Sequence, residues 1–279
     1  MKMGLRSFDN FQVASLRILI SFVFLLPIFI RNLKQIKPKQ WLPVTIAGLL
    51  GSGIPAFLFT TAQTQISSSL TGMLNSLVPL FTVLIGLIFF GISFRKLKFI
   101  GALIGLCGAI GLLMANGGIS IQNNDFVYAS LVILATLCYA TNVNFIKVKL
   151  VEVSSLNITT FGFTFIGPAA GIYLFNTDFT GRLSADPLAW INLFYIALLA
   201  IFGTAIAVIL FNMLIKKVSA VFASSVTYII PVFAIFWGII DGETVSYKEF
   251  LSIGIILTGV YLINQDNKLE RQEQSANAN

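Results

Sequence analysis

Long apolar runs separated by short polar loops form the dominant pattern along this chain of 279 residues. A helix needs about 20 apolar residues to cross a hydrocarbon core of about 30 Å. The windows are continuously apolar, whereas barrel strands alternate, so the pattern predicts an all-α, polytopic transmembrane helical bundle. Nine spans are expected: Phe11 to Ile30, Leu42 to Ala62, Ser68 to Gly91, Lys98 to Asn116, Phe126 to Ile146, Leu156 to Phe175, Trp190 to Phe211, Ser219 to Ile240 and Tyr247 to Asn264.

The composition agrees with lipid as the main solvent of this protein. Hydrophobic residues make up 57% of the chain, charged residues make up 10%, and the mean hydropathy is +0.89. A soluble particle of this length needs more polar surface than that. The bilayer is therefore an expected partner of most of the chain.

Lysine and arginine residues predict the orientation of the spans, because short cytoplasmic loops of membrane proteins are enriched in them. The net charge of +7 reflects this bias, and no basic arm is present, so no nucleic acid partner is expected. The side that carries most of the 18 basic residues, which includes the C-terminus, is predicted to be cytoplasmic. Its 13 residues are Arg31, Lys34, Lys37, Lys39, Arg95, Lys96, Lys98, Lys147, Lys149, Lys216, Lys217, Lys268 and Arg271.

An internal repeat relates the two halves of the chain. Residues Gly51 to Ser67 align without gaps on Gly203 to Ser219, and the same offset pairs Pro79 with Pro231. Two hydrophobic segments share some identities by chance, but paired prolines and glycines at a constant offset favour duplication. The matching loops are predicted on opposite sides of the membrane, so the repeat is inverted, as in many secondary transporters.

Glycine-rich helices extend this similarity, since Gly101 to Leu113 resembles Phe250 to Ile263. Small residues of this kind allow membrane helices to pack closely. The predicted organisation is a first repeat over residues 1–117, a second repeat over 118–264 and a disordered cytoplasmic tail over 265–279.

Four segments resemble the EamA-type branch of the drug/metabolite transporter superfamily: SFDNFQVASLRILIS at Ser7 to Ser21, the helices of Pro79 and of Pro231, and DGETVSYKEFLSIGIILTGVYLI, in which Gly242 and Glu243 match the family's glycine–glutamate pair. The resemblance covers nearly the whole chain. It implies ten helices in two inverted repeats of five and a location in the cell (inner) membrane. Two features depart from the family: Ile92 stands where the first repeat would place a glutamate, and the first of the ten helices would precede residue 1. We expect the natural gene to start upstream, or its start codon to be misassigned.

Catalytic side chains are scarce in this sequence. It contains no histidine, and its 11 acidic residues lie in loops or at helix ends. Hydrolysis, phosphoryl transfer and metal-dependent prenyl transfer each need carboxylates, histidines or a nucleophile around one site. No enzyme activity, metal or cofactor is expected, and a polytopic membrane enzyme is only a third hypothesis.

Polar side chains inside the spans are the candidate substrate ligands, because such groups line a cavity or bridge helices. For Arg17 the competing interpretation is a side chain that extends to the outer interface or caps neighbouring carbonyls. Pro79 and Pro231 are candidate kinks, and Glu243 is interpreted as a structural carboxylate at an outer helix end. The substrate-binding candidates are Arg17, Asn75, Tyr139, Asn142, Asn212, Thr227, Tyr228 and Trp237.

The leading functional hypothesis is a permease or exporter of small metabolites, such as amino acids or related compounds. Its two inverted repeats would work by alternating access as a monomer or homodimer. The substrate class follows from the family resemblance alone. The second hypothesis is a noncatalytic, truncated and inactive paralogue. Transport direction, coupling ion and substrate identity depend on side chains that meet only in three dimensions.

Overall fold

The described part of the structure, a computed structural model, comprises residues 3–66, 68–92, 96–115, 125–230, 233 and 247–276. Its regular structure is helical, with no strand among these residues, so the predicted all-α class is confirmed. The α-helices are α1 (Asn10–Asn32), α2 (Pro38–Gly48), α3 (Ile54–Ala62), α4 (Ser68–Asn75), α5 (Val78–Phe90), α6 (Lys96–Ala115), α7 (Asp125–Lys149), α8 (Ser155–Phe175), α9 (Phe179–Ala185), α10 (Ala189–Ala200), α11 (Ala207–Lys217), α12 (Ala220–Ser225) and α13 (Tyr247–Ala276).

Five described helical stretches are long and apolar enough to cross a membrane: Asn10–Gln35, Pro38–Ala62, Phe126–Lys149, Ser155–Phe175 and Ala189–Lys217. Each coincides with one of the predicted windows. Val78–Phe90 and Phe250–Gln265 are shorter apolar helices within two further windows. The total of nine spans stays a prediction.

The chain forms two compact units, and each contains segments from both halves of the sequence. The first unit comprises Met1–Gln65 and Phe145–Lys217, and the second comprises Ile66–Asn144 and Val218–Asn279. These units group helices by contact, whereas the predicted repeats group them by ancestry. The repeat boundaries at 117 and 118 therefore stay a prediction.

In the first unit, α1 packs against α8. The helix α1 begins at a capping box, in which the backbone N–H of Gln12 donates to the Asp9 carboxylate at 2.7 Å and the Gln12 amide oxygen accepts from the Asp9 N–H. This pairing satisfies two backbone N–H groups that a helix start leaves without intrahelical partners. Ile18 of α1 and Phe163 of α8, each 1% exposed, belong to the same apolar core.

Two π-helical turns interrupt helices of the first unit at matching positions. Leu49–Gly53 joins α2 to α3, and Ile201–Ile206 joins α10 to α11. The repeat alignment that pairs Gly51 with Gly203 also pairs these two turns. Wide turns of this type are rare and occur frequently at functional sites. The duplication therefore extends from sequence to local backbone geometry.

In the second unit, α6 crosses α13 along glycines. A Cβ atom on Gly101 would lie 2.8 Å from the backbone oxygen of Gly259, which is closer than real Cβ contacts come. Absence of a side chain at this crossing lets the two backbones touch, as is common between membrane helices. The two helices belong to the glycine-rich segments that the repeat alignment pairs.

The last helix is longer than the sequence predicted. Disorder was expected over residues 265–279 because of their polar composition, but α13 continues to Ala276. The segment contains Lys, Glu, Gln, Arg and Ala, which have high helix propensity, and it extends an existing helix without a new nucleation step.

Candidate substrate-binding site

A helix of the second unit is broken at a proline. Helix α4 ends at Asn75, a turn follows at Ser76 and Leu77, and Pro79 lies in the first turn of α5. Proline has no N–H group, so the Asn75 carbonyl four residues earlier loses its usual helical donor. The structure places Pro79 at the start of α5, and its role as a hinge or kink stays a prediction.

The matching helix of the second half is interrupted at the equivalent place. Helix α12 ends at Ser225, and a 3-10 turn follows over Val226–Tyr228, just before Pro231 in the sequence. The repeat offset pairs Asn75 with Thr227. Discontinuous helices in corresponding positions of two halves are typical of substrate sites in secondary transporters. Pro231 itself lies outside the described residues.

The polar groups of this 3-10 turn already have internal partners. The Tyr228 hydroxyl donates to the Ala102 carbonyl at 2.6 Å, and its side chain is fully buried. The ring lies against Gly105, where a Cβ atom would come within 2.6 Å of it. The Thr227 hydroxyl donates to the Ser224 carbonyl at 2.9 Å. Both contacts support the fold, and a substrate role for either residue stays a prediction.

Two candidate residues, Tyr139 and Asn142, lie on α7 near a third polar residue, Asn144, and the three have different surroundings. Asn144 is fully buried, and its amide nitrogen donates to the carbonyls of Thr82 at 2.9 Å and Ala140 at 3.0 Å. The bond to Thr82 joins α7 to α5. Asn142 is 7% exposed and makes no side-chain hydrogen bond with the described residues. Tyr139, half-buried, precedes Asn142 by three residues and so shares its face of the helix.

Buried amide oxygens without donors are concentrated in the second unit. Among the described side chains, the Oδ1 atoms of Asn75, Asn142 and Asn144 are buried and accept no hydrogen bond, and the only other such atom is Oγ of Ser15. A buried polar group left unpaired costs about 1–3 kcal/mol. Native proteins contain few such groups, and the exceptions require an explanation. These oxygens are acceptors available to a ligand.

In the first unit, Arg17 is bonded to the second π-helical turn. Its Nε–H donates to the Thr204 hydroxyl oxygen at 2.7 Å, and the side chain is half-buried. One turn later on α1, the Ser21 hydroxyl contacts the Ala200 carbonyl at 2.8 Å. Arg17 and Ser21 thus attach α1 to the start and middle of the turn. This contact favours helix bridging for Arg17 over extension to the interface.

Asn212 also bridges helices. Its amide nitrogen donates to the Thr159 hydroxyl at 2.9 Å, and its backbone carbonyl accepts from the Ser155 hydroxyl at 3.2 Å. The residue is 3% exposed and joins α11 to α8. The helix-bridging interpretation fits Asn212, whereas a direct substrate contact stays a prediction.

Some predicted residues cannot be placed. Trp237 and Glu243, like Pro231, lie outside the described residues. Within the described ranges, no three His, Cys, Asp or Glu side chains come together in a group able to hold a metal ion. Arg17 and Asn212 fall in the first unit, and the other described candidates fall in the second.

A polar network near the start of α10 was not anticipated from the sequence. The Asn192 amide donates to the Ser7 hydroxyl oxygen at 2.7 Å. Hydrogen bonds from the Ser7 hydroxyl and from the Leu188 backbone N–H, the latter at 2.9 Å, hold the pKa of the Asp186 carboxyl below its usual range. Serine and asparagine near helix ends are common in sequences, so no pattern distinguished this set.

The Asp186 network predicts a pH dependence of unfolding. Because the pKa is lower in the folded protein, the stabilisation is fully present above the unfolded-state pKa, near 4, and is lost as the pH falls through the folded value. Thermal unfolding in detergent between pH 6 and pH 3 should be less pH-dependent for Asp186→Asn, and the Ser7→Ala variant should lie between it and the wild type. Identical pH profiles for all three proteins would contradict this assignment.

Comparisons with known proteins agree with this architecture. The model of the EamA-like transporter family matches residues 1–114 and 127–265. The uncharacterized inner membrane transporter YedA of Escherichia coli (strain K12) is 28% identical over 270 residues, which cover 94% of this chain and 84% of YedA. An uncharacterized transporter of Archaeoglobus fulgidus is 25% identical over 265 residues, or 94% of this chain and 91% of that protein.

The fold also resembles that of a solved crystal structure. The TM-score is 0.71 at 18% sequence identity, and the match covers 96% of this chain and 92% of the other. At this level of identity the similarity concerns the fold alone.

Proposed function

Because the chain belongs to the EamA-like transporter family, a family of membrane proteins, we propose that it carries small metabolites across the inner membrane. Amino acids and related compounds are the proposed substrates. The proposed role is transport without catalysis, by a monomer or homodimer whose C-terminus faces the cytoplasm, as the distribution of lysine and arginine predicts.

Paired helix interruptions are the observation that supports this proposal most directly. The breaks before Pro79 and at Val226–Tyr228 occupy equivalent repeat positions, as do the two π-helical turns at Leu49–Gly53 and Ile201–Ile206. Irregular backbone in a membrane helix leaves carbonyl and N–H groups free for ligands and allows local bending. Two inverted repeats with interruptions at the same places can exchange conformations, which is the basis of alternating access.

The hydrogen bonds of the candidate residues suggest how their roles divide. Asn212, Thr227 and Tyr228 bond within the protein and are proposed to support the helices. Asn75 and Asn142 each have a buried amide oxygen that accepts no hydrogen bond, and they are proposed to contact substrate. Tyr139 and Trp237 are proposed as aromatic neighbours of the substrate, and Arg17 as the residue that positions the second π-helical turn.

Transport by the purified protein tests this function. We expect proteoliposomes loaded with a mixed panel of amino acids and other small metabolites to release at least one of them saturably, faster than protein-free vesicles do. Mass spectrometry of the external medium identifies the compound. Circular dichroism of the same preparation checks that the protein is folded. A folded protein that moves no compound of the panel would contradict the proposal and would support the inactive-paralogue hypothesis.

A further inference from the structure

We propose that Asn142 of α7 binds a protonated amine of the transported substrate through its amide oxygen. This inference rests on the proposed transport function and adds the chemical group that the protein recognises. The supporting observation is a difference in hydrogen bonding among Asn142, Asn144 and Asn212.

Asn142 differs from the other buried asparagines in having no partner. The amide of Asn144, two residues later, donates twice to backbone carbonyls, and that of Asn212 donates to Thr159. Asn142 is nine-tenths buried, yet its side chain bonds to no described residue, and its Oδ1 atom is shielded from solvent. The same residue type in the same kind of helix is therefore bonded at two positions and unbonded at one.

The fold alone does not explain a carboxamide at this position. An unpaired buried amide costs about 1–3 kcal/mol, and an apolar side chain of similar size, such as leucine, would avoid that cost. Destabilising residues of this kind are concentrated at functional sites, where activity compensates for lower stability. Asn142 is consistent with a residue whose partner is the ligand.

The unpartnered oxygen of Asn142 indicates which chemical group the ligand must present. The atom that is both shielded from solvent and without a partner is the amide oxygen. An amide oxygen only accepts hydrogen bonds, so a ligand that pairs with it must supply a donor. Ammonium groups are the strongest donors, because charged hydrogen bonds are roughly twice as strong as neutral ones. Tyr139 lies on the same face three residues earlier, and an aromatic ring attracts a cation near its face.

A neutral oxygen also suits a transporter better than a carboxylate would. A carboxylate at position 142 would bind an ammonium group more tightly and would need neutralisation to release it. An amide oxygen recognises the same group reversibly at any physiological pH. Asn75, with a second unpaired Oδ1 atom in the same unit, adds another neutral acceptor.

The transport arm of the test compares amines with their deaminated analogues. Proteoliposomes receive leucine, phenylalanine and threonine, each paired with the acid in which hydrogen replaces the α-amino group. We expect saturable exchange of the amines only. Asn142→Leu should raise the half-saturating concentration about tenfold, which corresponds to one lost hydrogen bond of about 1.4 kcal/mol. Asn142→Asp, which keeps the acceptor, should retain binding, and Ser130→Ala, an exposed position of α7, should match the wild type.

The stability arm distinguishes a ligand-binding residue from a structural one. Asn142→Leu should unfold at the same temperature as the wild type or higher, whereas Asn212→Leu, which breaks the bond to Thr159, should unfold at a lower temperature. Equal transport by Asn142→Leu, equal transport of the deaminated acids, or destabilisation of Asn142→Leu to the level of Asn212→Leu would each overturn the inference. If wild-type flux persists in those cases, the transport function stands. Absence of wild-type flux would overturn both.

Discussion

Substituting Gly259 with valine is expected to destabilise the second unit by about 3 kcal/mol or more, at the upper end of the range for overpacked cores. A Cβ atom at Gly259 would meet the backbone of α6 at Gly101 and Gly105. A backbone cannot rotate away as a flexible side chain can, so the helices must separate. Separation would also expose the core that contains Ala102 and Ile263.

Gly254 on the same helix supplies a matched control. A Cβ atom there has no neighbour within 4 Å, and the position is exposed. Gly254→Val carries the same change in helix propensity without the clash. Unfolding in mixed micelles with increasing sodium dodecyl sulfate, followed by circular dichroism, measures both variants. Equal midpoints for the two would show that contact between α6 and α13 does not depend on the missing side chain.

A double-mutant cycle on Arg17 and Thr204 should give a coupling energy of about 1–2 kcal/mol. The Nε–H of Arg17 donates to the Thr204 hydroxyl at 2.7 Å, and that hydroxyl in turn contacts the Leu199 carbonyl at 3.2 Å. Removing either partner leaves a polar group in a buried or half-buried place without its bond. The variants are Arg17→Gln, Thr204→Val and their combination.

The cycle cancels effects that each substitution has alone, including the loss of the Leu199 contact. Arg17→Gln combined with Ser130→Ala, which lies in the other unit, is the control and should be additive. The same micelle unfolding assay applies. An additive result for Arg17 and Thr204 would mean that the hydrogen bond does not stabilise the second π-helical turn.

Hydropathy predicted helix positions well where a span is regular. The window from Phe11 to Ile30 corresponds to α1 at Asn10–Asn32, and the window from Leu156 to Phe175 to α8 at Ser155–Phe175. Both helices carry a capping side chain at the first turn, from Asp9 and Ser154, so composition and local chemistry agree on the boundary.

Interruptions inside a span were only partly visible in the sequence. Pro79 predicted an irregularity in its helix. The window from Leu42 to Ala62, in contrast, is an uncharged and mainly apolar run, and hydropathy does not distinguish an α-turn from a π-turn. Gly51 and Gly203 are aligned by the repeat, and the structure places each within a π-helical turn. Backbone geometry at such a place depends on what packs around it.

The site was the least predictable part for a related reason. Asn142 and Asn144 are the same residue type and lie two residues apart in the sequence. Their side chains are separated by about 200° around the helix axis, so they have different neighbours. Thr82, the partner of Asn144, is distant in sequence and could not be matched to it by pattern. The hydrogen-bond partners of such residues are set by the folded structure and not by their local sequence.

The two π-helical turns also change the angular phase of everything that follows them. One additional residue in a turn rotates the downstream helix by about 100° relative to an uninterrupted α-helix. The faces that α3 and α11 present to α1 and α8 are therefore set by these turns. A deletion of one residue at Gly203 would restore the ordinary winding and turn the Asn212 side chain away from Thr159.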